Sequence, residues 1–124
     1  MSDLHDGALD LGVIDGLRAS VEGDTAFVIE LIEAFLADSA VQVDAIEAAV
    51  AAGDAEATVR PAHTLKSASA TLGAMPLSVA ARTLEMAGRS GSLDADDARA
   101  AAASIRGEWE AAAAALHAWS AANR

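Results

Sequence analysis

The residues of this chain best placed to do chemistry lie between Ala62 and Ala74, in the stretch AHTLKSASATLGA. It holds one of three histidines, His63, with Lys66 three residues on, and after the lysine only Leu72 is larger than threonine. At roughly 3.6 residues per turn, Ala62, Leu65, Ser69 and Leu72 share one side of a helix, the side that must face a core. His63, Ser67 and Ala70 fall on a neighbouring stripe, with Arg60 one turn before them. Lys66 sits between the two, on a stem long enough to bring its ammonium beside the imidazole. The spacing predicts an exposed histidine flanked by positive charge on a strip cleared of bulk.

Three chemistries fit a histidine so placed. It can be a solvated surface residue with no role. It can be a metal ligand, but a helical metal site needs a second ligand one turn on, and position 67 is serine. It can be a nucleophile, since an ordinary imidazole is largely neutral at pH 7 and can attack an electrophilic phosphorus. Small neighbours would then admit another protein's active site, and a lysine one turn on would hold the incoming phosphoryl oxygens. His5, in an N-terminal segment expected to be flexible over residues 1–8, and His117, on an alanine-rich helix, have no comparable surroundings.

The elements that must position this stretch are all helical by pattern. Alanine supplies 34 of 124 residues, and there is no cysteine or tyrosine. Alanine is the strongest helix former, and β-branched and aromatic residues are few. A first short helix is expected near Leu9 to Ser20. A second starts after the N-cap Asp24 and runs to about Ala52, with Val28, Leu31, Ile32, Phe35, Ile46 and Val50 on its apolar stripe. Gly53 and Asp54 repeat the stop and start. The third helix runs from about Asp54 to Leu72, with Pro61 inside it, so a kink or a start nearer Arg60 is expected. Pro76 opens a fourth helix to about Ala87. Asp94 is expected to cap a fifth, whose inner face is Ala98, Ala102, Ile105, Trp109, Ala112, Leu116 and Trp119. The fold class is therefore all-α: an antiparallel up-and-down four-helix bundle with a short additional N-terminal helix, one domain over residues 9–122.

The net charge of −11 opposes binding to nucleic acid or to an anionic membrane. The absence of cysteine excludes disulfides and thiolate metal sites. The N-terminus lacks the basic and apolar regions of a signal peptide, and the late uncharged run falls short of the ~20 apolar residues of a membrane span. A cytoplasmic, stand-alone protein is the expectation.

Set among these helices, the stretch resembles the signature of histidine-containing phosphotransfer (HPt) domains, approximately A-H-x-L-K-G/S with a glycine further on. His63, Leu65, Lys66, the small Ser67 and Gly73 match in register. GDTAFVIELIEAFLADS upstream and LSVAARTLEMAGR downstream resemble the family's second and fourth helices, so the similarity spans about Asp24 to Arg89. The resemblance implies that His63 is the phosphoacceptor on Nε2, that Lys66 compensates phosphoryl charge, and that Ser67 keeps access open where many relatives have glycine. Glu85 matches a position where some relatives use glutamine to bond the other ring nitrogen, so an imidazole-orienting role is expected. Arg89 is expected to contact the rim of the site. Val13, Ile14, Leu17, Phe27, Arg60 and Ala70, with Val21 near them, are candidates for partner docking.

The implied function is a phosphorelay carrier without independent turnover, taking a phosphoryl group from a receiver phosphoaspartate or a histidine kinase and passing it to a response-regulator aspartate. No cofactor of its own is implied, the Mg2+ being supplied by the partner receiver domain, and a monomer is expected. The alternative is a helical adaptor that binds a kinase or receiver without being phosphorylated.

Overall fold

In the computed structural model, which describes residues 7–124, the chain forms five helices and, among the described residues, no strand. They are α1 (Leu11–Ser20), α2 (Thr25–Ala51), α3 (Ala55–Thr71), α4 (Met75–Ser90) and α5 (Asp96–Asn123). His5 and most of the expected flexible segment lie outside the described residues, while Ala8 and Leu9 are already buried against the core.

Local chemistry starts most of these helices. Asp24 and Asp54 cap α2 and α3 as expected, their carboxylates each accepting a bond of 3.0 Å from the amide three residues on, at Phe27 and Ala57. Asp10 caps α1 in a variant form, accepting from Gly12. Asp94 does not cap α5. Ala95 occupies that position without a side-chain bond, and Asp96 and Asp97 instead place negative charge in the first turn, where the helix dipole favours it. Pro61 does not shift the start of α3 towards Arg60; the helix begins at Ala55 and runs through the proline. The capped first turn of α3, built on Asp54, precedes Pro61 and holds it within an established helix.

The core explains the apolar spacing. α3 packs on α4 and α2, and α5 packs on both α4 and α2, so the four long helices close a ring around Ile32, Val43, Ile46, Leu65, Leu84 and Leu116. Leu31 and Val50 sit at the margin of this core and are half-buried, whereas Val43 and Ala49 are buried. On α5, Ala101 and Ala115 are buried along with most of the expected face, while Ala102 and Trp109 are half-buried, the Trp109 indole N–H donating to Ser39 Oγ on α2 at 2.7 Å. Arg106 of α5 pairs with Asp44 and Glu47 of α2.

The short α1 lies against α2 and α3. One tether is backbone: the Asp10 amide donates to the Gly73 carbonyl at 2.7 Å. Gly73 ends α3 with φ +82, and a Cβ there would fall 2.7 Å from the Asp10 carbonyl oxygen. Only glycine meets both demands. Arg18 extends the tether to α5, stacking its guanidinium 5.5 Å over the Trp119 ring and donating to Asn123.

Candidate functional site

The site is built on the α3–α4 pair. Two features bring these helices close. Gly88 on α4 faces α3 so tightly that a Cβ would come within 2.8 Å of the Ala55 carbonyl oxygen and 2.9 Å of Val59 Cγ2. One end of the crossing is thus closed by the absence of a side chain. Further along, Ser78 Oγ donates to the Lys66 carbonyl at 2.9 Å. Neither contact is evident from the sequence; an isolated glycine within a helical pattern is the one signal that points to Gly88, and Ser78 carries none.

The faces of α3 fall where the spacing puts them. Ala62, Leu65, Ser69 and Leu72 are buried, and the His63 side chain is 55% exposed. Ser67 and Arg60 are exposed, and Ala70 is half-buried. Between His63 and solvent there is no large side chain on the next two turns of the stripe.

Glu85 reaches this ring from α4. It is buried, with 5% of its surface exposed, and carries three cationic or N–H partners on two oxygens. Oε2 lies 2.9 Å from Nδ1 of His63 and accepts two bonds from Arg89, at 3.1 Å from Nε and 2.7 Å from Nη2. Oε1 lies 2.7 Å from the Lys66 ammonium, a close ion pair. A carboxylate stripped of water would ordinarily be raised in pKa. Here the Lys66 ammonium above all, then Arg89 and the His63 ring, outweigh the burial and hold it down at about 2.

This settles the chemistry of the ring. An ionised carboxylate can only accept hydrogen bonds, so Nδ1 of His63 is the donor. In the neutral imidazole the lone pair then resides on Nε2, on the opposite edge of an exposed side chain. The arrangement holds the ring in one tautomer, on a side chain more than half exposed.

Glu85 engages Nδ1 of His63. Lys66 and Arg89 converge on Glu85; the Arg89 pair is an i,i+4 contact within α4 that spacing can offer, whereas the Lys66 contact crosses from α3 and spacing does not reveal it. Among the docking candidates, Phe27 is 42% exposed and Val13, Leu17 and Val21 are half-buried. Ile14 is corrected: it is fully buried, on the face of α1 turned towards α2 and α3, and contributes to the core instead of a surface. One further feature is not legible in the sequence. A groove of about 250 Å³ opens between α2 and α3 beside the His63 stripe, lined by Leu31, Phe35, Thr64, Ala68 and Thr71 among others. Among the described residues no three His, Asp or Glu side chains gather as a metal site, and no helix is long and apolar enough to cross a membrane.

Comparison with known proteins bears on the chain as a whole. The family model for the Hpt domain matches residues 30–119. The crystal structure of histidine-containing phosphotransfer protein B (HptB) from Pseudomonas aeruginosa PAO1 superposes with a TM-score of 0.80 at 27% sequence identity, covering 94% of this chain and 97% of that chain. A search of curated protein sequences gives no match.

Proposed function

We propose that this chain, which belongs to the Hpt domain family, accepts a phosphoryl group on Nε2 of His63 from a receiver phosphoaspartate or a histidine kinase and passes it to an aspartate of a response regulator. Histidine phosphotransfer in a phosphorelay is the family's general work, and its members are phosphocarriers. The observation that carries the specific reading is the Glu85–Nδ1 bond, which leaves the lone pair on the exposed ring edge.

The transfer is mainly a matter of positioning. Nε2 must come within ~3–3.5 Å of phosphorus, in line with the bond that breaks. Ser67 and Ala70 leave room for that approach. Lys66, whose side chain is 30% exposed, turns from Glu85 to the phosphoryl oxygens as their charge arrives. Val13, Leu17, Phe27 and Arg60 line the side from which the partner docks. The Mg2+ that phosphoaspartate chemistry uses belongs to the receiver. The protein works as a cytoplasmic monomer, with α2 to α5 antiparallel in up-and-down order, a topology supported by their ring of packing and short connections.

The experiment is phosphoryl transfer from a labelled receiver or kinase to the wild type and to His63→Gln. Label that is stable to alkali, labile to acid and absent from the variant is the expected result. Equal labelling of the two proteins would end the proposal and leave the adaptor alternative, under which the Glu85 cluster has no purpose.

A further inference from the structure

The outer face of α4 is left open by the other described helices. Along it Met75, Val79, Arg82, Met86 and Arg89 follow one another at steps of four, three, four and three residues. At 100° per residue they form a ridge about 80° wide and about 21 Å long. Val79 is 61% exposed, Met86 57% and Met75 40%, and both arginines are exposed. Single apolar residues on a surface need no explanation, but three aligned at the spacing of a helix–helix seam do.

The charge of the ridge also differs from that of the molecule. In a chain of net charge −11 it carries two arginines and no acid, because Glu85, the one acidic residue of α4, is buried. Arg89 is engaged with Glu85, while Arg82 has no ion-pair partner among the described residues. A second feature lies at the far end. A hollow of about 790 Å³ with mostly apolar walls opens where α1, the start of α4 and the end of α5 meet. Leu9, Leu11, Met75, Ala115, Ala118 and Trp119 are among its lining residues. Met75 belongs to both features, so ridge and hollow make one surface, from the arginine that bonds Glu85 to the Trp119 ring.

We infer that this surface docks an acidic amphipathic helix of a partner protein. Its apolar residues lie on Val79 and Met86, its carboxylates on Arg82 and Arg89, and a large apolar residue at one end fills the hollow beside Trp119. Spacing, charge and shape each select that occupant. A seam of alternating four and three residues fits a helix, and methionines adapt to the side chains it brings. Exposed guanidinium groups favour carboxylates. A second copy laid antiparallel on the same ridge would set Arg82 against Arg82. Nucleic acid or an anionic membrane would be repelled by the rest of the chain. The surface lies apart from Val13, Leu17 and Phe27 and needs no phosphate on His63, so the inference is independent of the phosphocarrier reading.

The test is an NMR titration of the 15N-labelled full chain with a synthetic helical peptide. The peptide carries leucines on one face, glutamates along both edges and a phenylalanine at one end. Saturable shifts confined to the α4 amides and the Trp119 indole N–H are expected, with the Trp109 indole unmoved. Arg82→Glu should weaken binding about tenfold, by turning an attraction into a repulsion. Val79→Asp should weaken it similarly, whereas Val41→Asp, at an equally exposed apolar position on α2, should not. His63→Gln should bind the peptide as wild type does, and a peptide with lysines in place of the glutamates should not bind. Equal binding of the acidic and basic peptides, shifts centred on His63, or no saturable shift would overturn the inference. Shifts of the α4 amides with protein concentration alone would give the surface to a second copy and overturn it as well. A chain that binds the peptide as expected yet takes no phosphate on His63 would overturn the phosphocarrier reading and leave this one standing.

Discussion

Glu85 shows how a single buried carboxylate is kept charged, and how that charge ties the stability of the fold to pH. Its pKa is held at about 2, against 4.5 for an ordinary glutamate. A carboxylate lowered on folding stabilises the native state above its unfolded pKa, and that contribution is lost as pH falls through the folded value. The stability of this protein should therefore decline between about pH 4.5 and pH 2, and in Glu85→Gln that part of the decline should be missing. Denaturant titrations of both proteins across that window check it; parallel curves would refute it. Lys66 belongs to the same scale. Its ammonium is predicted to supply a charged hydrogen bond to the phosphoryl group, worth about 1.5 kcal/mol, so Lys66→Ala should slow transfer roughly tenfold without abolishing it. A rate equal to wild type would remove Lys66 from the mechanism.

At the scale of the helices, the site depends on how closely α3 and α4 approach. Gly88→Ala would drive a methyl group against the Ala55 carbonyl and Val59, and a clash with backbone has no easy relief. A loss of about 1–3 kcal/mol is expected in chemical denaturation. Ser67→Arg acts on an exposed position of α3. It should leave the stability within about 0.5 kcal/mol of wild type, as surface changes usually do, while blocking transfer by its bulk. Unimpaired transfer in that variant would place docking elsewhere. Much of this scale was legible in the sequence, because helix periodicity and N-caps are local. The stripe through His63, the buried face through Leu65 and the caps at Asp24 and Asp54 all depend on residues within a turn or two of each other. Asp94 misled because a good capping residue is only an opportunity, and the chain turned into α5 one residue later. Ile14 misled because the face that a short helix buries depends on where it docks, and that is set by the Asp10–Gly73 backbone bond. The meeting of Lys66 and His63 with Glu85 was hidden for the same reason, since it exists only once α3 and α4 are packed.

Taken whole, the molecule is strongly acidic, yet its charge is unevenly laid out. α3 and α4 carry Arg60, Lys66, Arg82 and Arg89 against Glu56 and Glu85, a balance of +2 in a chain of −11. The phosphoryl group and the acidic site that bears it would be drawn to this one region and repelled by the remainder, which favours productive encounters over random ones. Association with a phosphorylated receiver should slow as salt is raised from about 0.01 M to 1 M, over which the screening length shrinks from about 30 Å to 3 Å. An encounter rate indifferent to salt would refute steering. The contact between Arg18 and Trp119 has a practical consequence. The chain has two tryptophans and no tyrosine, and they stand in different settings: Trp119 under a guanidinium from α1, Trp109 hydrogen-bonded to Ser39 of α2. Intrinsic fluorescence thus offers two separate optical reporters. A partner that presses on α1 would alter the quenching of Trp119 and leave the emission of Trp109 as an internal standard.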